Sequence, residues 1–193
     1  MPLPIDKDSV SLEVAARLLV GDSALGDFSL NDARYILSHM RAKRVKADTV
    51  LIHEGQRAGS DYMLLILQGD VLVESDMPGA HEKLVMTIVG AGHIIGEMSM
   101  FDGGPRAATC KAATELAVAV MSSASLKRLL HERPEVGVRF LLAMSKRLSD
   151  RLREANQKIR KYVSLTNTLQ QEVHALLDGH SPASVGRPKG RAK

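Results

Sequence analysis

Between Gly96 and Thr109 the chain reads Gly-Glu-Met-Ser-Met-Phe-Asp-Gly-Gly-Pro-Arg-Ala-Ala-Thr, so a carboxylate, Glu97, and a guanidinium, Arg106, stand at the two ends of one turn-rich loop. Such a pair is suited to hold an anion that carries a hydroxyl beside its charge. Gly96 lets the backbone leave a strand and approach a ligand closely. Residues 97 to 101 have the length of one helical turn, whose free N–H groups, around Glu97, Met98 and Ser99, favour a phosphate. Pro105 stiffens the return of the chain, and Arg106 offers a planar, permanently charged fork that matches phosphate oxygens. An ionised Glu97 only accepts hydrogen bonds, so it suits a sugar hydroxyl and repels the phosphate itself. A second reading of the same residues is an intramolecular Glu97–Arg106 ion pair that only braces the turn.

The run resembles the phosphate-binding cassette of cyclic nucleotide-binding domains, as in catabolite activator proteins and protein kinase A regulatory subunits. The resemblance implies that Glu97 holds a ribose 2′-hydroxyl, that Arg106 holds the cyclic phosphate, and that the backbone amides of Ala107 and Ala108 complete the cradle. It extends over roughly residues 30 to 150. Leu51 to Gln56, Tyr62 to Gln68 with Gly69 and Val71, and Gly90, Gly92 and Ile95 stand where the family places hairpin turns and strands. In the family register Val73, Met86 and Val89 point into the interior beside the cassette and contact the base, although ordinary core packing is an equal reading of all three. The helix positions that offer polar contacts to adenine fall near Arg151 and Leu152, a departure from the hydroxyl pair of the activators. Cyclic AMP is the expected ligand, with cyclic GMP possible. The family often places Thr directly after the arginine when it favours guanine, and here that residue is Ala107.

The elements that must position this loop follow from periodicity. Leu12 to Val20 and Leu30 to Met40 have helical apolar spacing, the second with Asn31 and Asp32 in its first turn. From about Arg44 to Met121 the pattern changes to short apolar or alternating runs punctuated by Gly, Asp and Pro: Val50 to His53, Tyr62 to Leu67, Val71 to Glu74, Lys83 to Val89 and Leu116 to Met121. Many short strands with glycine-rich turns predict a β-sandwich or jelly roll, in an α+β chain with flanking helices. Cys110, the one cysteine, is expected to pack as a small hydrophobe on a strand after the cassette, with a redox role as the alternative.

After Met121 the spacing turns helical, first over about Ser125 to Glu132, then in a long helix opened by Pro134. From Leu148 the apolar residues follow heptads. Leu148, Ala155, Tyr162, Leu169 and Leu176 form one seam position; Leu152, Ile159, Thr166 and Val173 form the other. β-branched residues at one position with Leu frequent at the other predict a parallel two-stranded coiled coil and hence a homodimer, with docking of this face on its own domain as the alternative. The expected organisation is an N-terminal helical segment over 1–29, the nucleotide-binding sandwich over 30–133, the dimerisation helix over 134–178 and a disordered basic tail over 179–193. In catabolite activators the long helix leads into a helix-turn-helix domain, which this sequence is not expected to carry.

The net charge of +4 over 193 residues is concentrated at the C-terminus, where Arg187, Lys189, Arg191 and Lys193 meet no acid. Gly186-Arg187-Pro188-Lys189 resembles the core of an AT-hook, although Val185 stands where the full hook has an arginine. Arg187, Lys189 and Arg191 are therefore the candidate DNA contacts of a rival reading, an architectural or regulatory DNA-binding protein with a regulatory or degenerate pocket. The cations from Lys146 to Lys161 read more simply as a solvated helix face. The seven histidines are scattered, which argues against the metal-dependent enzymes that share the jelly roll, and no nucleophile triad or phosphate-loop motif is evident. No metal is expected. No apolar stretch reaches the roughly 20 residues that span a bilayer, and no signal peptide is legible. The expectation is a cytoplasmic, non-enzymatic cyclic nucleotide receptor without membrane contact, whose downstream partner is an unidentified protein or DNA.

Overall fold

The computed structural model describes residues 11–21, 28–57, 59, 61–76 and 83–177. The candidate DNA contacts Arg187, Lys189 and Arg191 lie outside the described residues. Two helices open the described chain, α1 (Leu12–Val20) and α2 (Leu30–Leu37). Eight strands follow: β1 (Arg41–Val45), β2 (Val50–Ile52), β3 (Tyr62–Gln68), β4 (Val71–Asp76), β5 (Lys83–Val89), β6 (Ile94–Ile95), β7 (Thr109–Ala112) and β8 (Leu116–Ser122). A short helix, α3 (Glu97–Asp102), interrupts them between β6 and β7, and α4 (Ser123–Glu132) and α5 (Pro134–Leu177) close the chain.

The strands form two antiparallel four-stranded sheets, ordered β1-β8-β3-β6 and β2-β7-β4-β5, which is the expected jelly roll. Each side of the β1-β8-β3-β6 sheet has its own core. Leu64, Ile66 and Val118 face the second sheet, where they meet Ile52, Val71, Cys110 and Ala112. Met63, Leu65, Ala119 and Met121 face the other way, into a cluster with Leu19 of α1, Ile36 of α2, Leu129 of α4 and Phe140 of α5. Burial on both faces explains why β3 (Tyr-Met-Leu-Leu-Ile-Leu-Gln) is a continuous apolar run without the alternation of a half-exposed strand. Cys110 is buried on β7, as a packing residue would be.

Three strands depart from the sequence reading. β1 (Arg-Ala-Lys-Arg-Val) was legible only at its last residues. Among the described residues it pairs with β8 alone, at the edge of its sheet, and Arg41 to Arg44 are exposed. β6 has two residues, too few to show a period. In β5 one extra residue falls between Thr87, opposite Val73, and Val85, opposite Glu74. Met86 sits at that bulge and is 55% exposed, which corrects its expected place in the interior. Val73 and Val89 do pack, partly buried, against the core between the sheets.

The helices are tied to one another by polar contacts as well as apolar ones. Ser29 and Asp32 form a capping box at the start of α2, each side chain bonding to the other's backbone N–H. The sequence reading had placed Asp32 in the first turn without finding its serine partner. The Asp32 carboxylate also accepts two hydrogen bonds from Arg139 of α5, at 3.1 and 2.8 Å. Burial pushes this carboxyl up, but the bonds from Arg139 and Ser29 outweigh it and hold Asp32 below its ordinary value. At the other end of α2, Tyr35 donates to Glu132 at 2.9 Å and the His39 ring faces the same oxygen at 3.0 Å.

The chain divides into two compact units, with the boundary between Met144 and Ser145. The first three turns of α5 belong to the sandwich unit, where Val136, Gly137, Phe140 and Met144 are buried. α5 approaches α4 closely at Gly137, where a β-carbon would lie 2.4 Å from a methyl group of Leu130 and would oblige that side chain to shift. In the second unit every described residue from 151 onward is exposed, the heptad positions included. Lys146 and Arg153 pair with Asp150 at 2.7 and 3.0 Å. Among the described residues no helix is long and apolar enough to cross a membrane.

Candidate functional site

The cassette is built on the junction from β6 into α3. Gly96 caps α3 with φ 79° and ψ 4°, a left-handed conformation that favours glycine. A side chain is excluded there for a second reason. A β-carbon on Gly96 would come within 2.5 Å of Arg106 Nη1, 3.0 Å of Ile52 and 3.1 Å of the Tyr62 carbonyl. The glycine therefore makes room for the guanidinium itself.

Arg106 is 3% exposed and its fork is anchored from several sides. Nη1 donates to the Gly96 carbonyl at 2.7 Å and to the Ser99 hydroxyl at 2.8 Å, and Nη2 donates to the Tyr62 carbonyl at 3.0 Å. The guanidinium also lies over the Tyr62 ring, 4.5 Å from its centroid. These bonds use three of the five N–H donors, so two remain for a ligand oxygen. The backbone on either side is fixed too. The Gly55 N–H donates to the Arg106 carbonyl at 2.8 Å, and the Arg106 N–H donates to Gln56 at 3.0 Å.

Glu97 opens α3 and is 3% exposed, yet it is not among the partners of Arg106. The ion-pair reading of these two residues is thereby set aside, and the partners of the Arg106 guanidinium among the described residues are neutral carbonyl and hydroxyl oxygens. Ser99 is buried under the guanidinium, whereas Met98, beside it on α3, is largely exposed. Ala107 is exposed and Ala108 half-buried, and among the described residues neither N–H has a protein partner. The site thus brings together a permanent cation, two unclaimed backbone donors and a carboxylate on a neighbouring turn. That set fits an anion with an adjoining hydroxyl. Arg151, the expected base contact, is exposed and lies in the second unit.

Tyr62 is the site residue that sequence reasoning missed. It reads as the first residue of an apolar strand, and only the aromatic ring, rare in a chain with 3% aromatic residues, could have drawn attention to it. Thr109 was missed as well; its buried hydroxyl accepts from the Glu54 N–H at 3.1 Å and ties the β2–β3 turn to the end of the cassette. Among the described residues no cluster of histidine, cysteine or carboxylate side chains could hold a metal ion.

Comparison with known proteins points to a single family. The profile of the cyclic nucleotide-binding domain matches residues 42–133. A solved cyclic nucleotide-binding domain from Methylobacillus flagellatus is 38% identical, with a TM-score of 0.70 over 77% of this chain and 82% of that one. The N-terminal domain of a Streptomyces coelicolor transcriptional regulator is 30% identical, with a TM-score of 0.58 over 71% of this chain and 93% of that one. The cAMP-activated global transcriptional regulator CRP of Haemophilus influenzae is 29% identical over 127 residues, 65% of this chain. The chain spans 53% of that regulator's length.

Proposed function

The chain belongs to the cyclic nucleotide-binding domain family, and from that premise we propose that it is a non-enzymatic receptor for cyclic AMP that acts as a dimeric regulatory protein. The observation that carries the reading is the buried Arg106 fork, held by Gly96, Ser99 and Tyr62 with donors left over, beside a Glu97 that does not neutralise it. In the proposed complex Arg106 and the Ala107 and Ala108 amides hold the cyclic phosphate, and Glu97 accepts from the ribose hydroxyl. Gly96, Met98 and Ser99 shape the turn around it, and Val73 and Val89 line the base. Arg151 is the candidate polar contact to the base.

The homodimer is proposed on the heptad face of α5. Apolar residues spaced for a partner helix stand exposed along it, among them Leu152, Ile159, Leu169 and Val173. A nucleotide that binds one arrangement of the sandwich and its flanking helices better than another shifts the balance between them, and only such a difference drives a switch. The cytoplasm is the proposed location.

The test is a calorimetric titration of the purified chain with cyclic AMP and with cyclic GMP. We expect one cyclic AMP per chain and weaker binding of cyclic GMP, because Ala107 has no hydroxyl to pair with the guanine amino group. Equal or reversed affinities would refute the preference, and no heat with either nucleotide would refute the receptor reading.

A further inference from the structure

We infer that Tyr62 is the positioning residue that sets Arg106 in its phosphate-binding orientation before any ligand arrives; the inference rests on the cyclic-nucleotide reading of the site. Three different groups of this one residue converge on the task. Its carbonyl accepts from Arg106 Nη2 at 3.0 Å, its ring face lies 4.5 Å from the guanidinium carbon, and its hydroxyl donates to the Leu51 carbonyl at 2.8 Å. β3, which Tyr62 opens, belongs to one sheet, and Leu51 lies on β2 of the other. The ring is therefore fixed from both layers of the sandwich, and it presents a rigid floor to the cation.

A planar fork needs two constraints to become a fixed donor set. Contact with the ring face confines the guanidinium from one side, and the bonds to Gly96, Ser99 and Tyr62 restrict its rotation. The remaining donors are then aimed by the fold. An arginine ordered in this way has already lost its rotamer freedom on folding, so the ligand does not bear that cost on binding. Leucine at position 62 keeps apolar bulk and the backbone carbonyl but removes the ring face. Phenylalanine keeps the face and removes only the bond to Leu51.

The inference predicts that Tyr62→Leu weakens cyclic AMP binding by roughly threefold to thirtyfold, the range of a stacked cation, while Tyr62→Phe stays within about threefold of wild type. Added to Arg106→Ala, Tyr62→Leu should change affinity no further, because the group that it positions is gone. A residue that merely fills space would weaken both backgrounds alike, and that result, or wild-type affinity in Tyr62→Leu, overturns the inference. A second readout needs no nucleotide. In nitrogen NMR of the full chain, the Arg106 guanidinium should give separate Nη signals in wild type and Tyr62→Phe, and averaged ones in Tyr62→Leu. Averaged signals already present in wild type would also overturn it. If instead the signals behave as expected and cyclic AMP fails to bind wild type, the nucleotide reading fails and the positioning of Arg106 stands.

Discussion

The chemistry proposed for the candidate site comes down to one side chain that is built into the fold and would also hold the ligand. Arg106 donates to the carbonyls of Gly96 and Tyr62, so removing it strips the proposed ligand contact and also breaks two bonds that hold the cassette together. Arg106→Ala should weaken cyclic AMP binding by at least about 2 kcal/mol, roughly thirtyfold, as expected for a charge-assisted pair. Calorimetry on protein shown to be folded by its urea transition is the check, and unchanged affinity would reject the phosphate role. Glu97→Gln should cost less, because the amide still accepts from a hydroxyl. A complete loss of binding in that variant would mean that Glu97 does more than receive a ribose proton. Gly96, Glu97 and Arg106 were readable as an anion site from residue type and spacing, whereas the amides of Ala107 and Ala108 were expected only through the family resemblance. The ring beneath Arg106 was not readable, because stacking joins residues 44 positions apart and leaves no local pattern.

Among the elements, α2 has an importance out of proportion to its eight residues. Its capping box and the Arg139 fork share the Asp32 carboxylate, so α2 and the first turns of α5 are stabilised together. Asp32→Asn removes the charge and should lower stability by about 1 to 3 kcal/mol near neutral pH, read from the urea midpoint. Because the folded-state carboxyl is held below its ordinary value, its contribution is complete above the carboxylate range and is lost as pH falls through it, below about pH 4. The Glu132 carboxyl is lowered in the same direction, by His39 first and by Tyr35, and adds to the same acid limb. Asp32→Asn should therefore flatten that limb, and an acid limb as steep as wild type would show that other carboxylates govern it. The strands were legible where apolar runs made them so. β1 was largely hidden by its cations, which are compatible with an edge, and the β5 bulge was hidden because a one-residue shift in pairing is set by the neighbouring strand and not by composition.

For the molecule as a whole, the proposed dimer depends on α5. Leu169→Glu with Val173→Glu puts like charges against their symmetry mates in a parallel pair, a cost of several kcal/mol that a seam weakened by Ala155 and Thr166 cannot offset. Light scattering should then report a monomer. If that monomer still binds cyclic AMP, the pocket is complete within one chain; a variant that remains dimeric would send the search for the interface elsewhere. The two-unit division bears on how such a chain is handled, and so do the free margins of its sheets. β1 lines one margin with Arg41, Lys43 and Arg44, whereas β5, at the margin of the other sheet, shows Leu84, Val85, Met86 and Ile88, each at least half exposed. Unpaired backbone beside apolar side chains is a template for adding another strand, and cations discourage it. When a concentrated sample is warmed, clouding should therefore begin at β5. Ile88→Lys should raise the onset temperature of turbidity while the unfolding midpoint stays within a few degrees of wild type; if turbidity and unfolding shift together, the sticky margin is not the route by which the sample is lost.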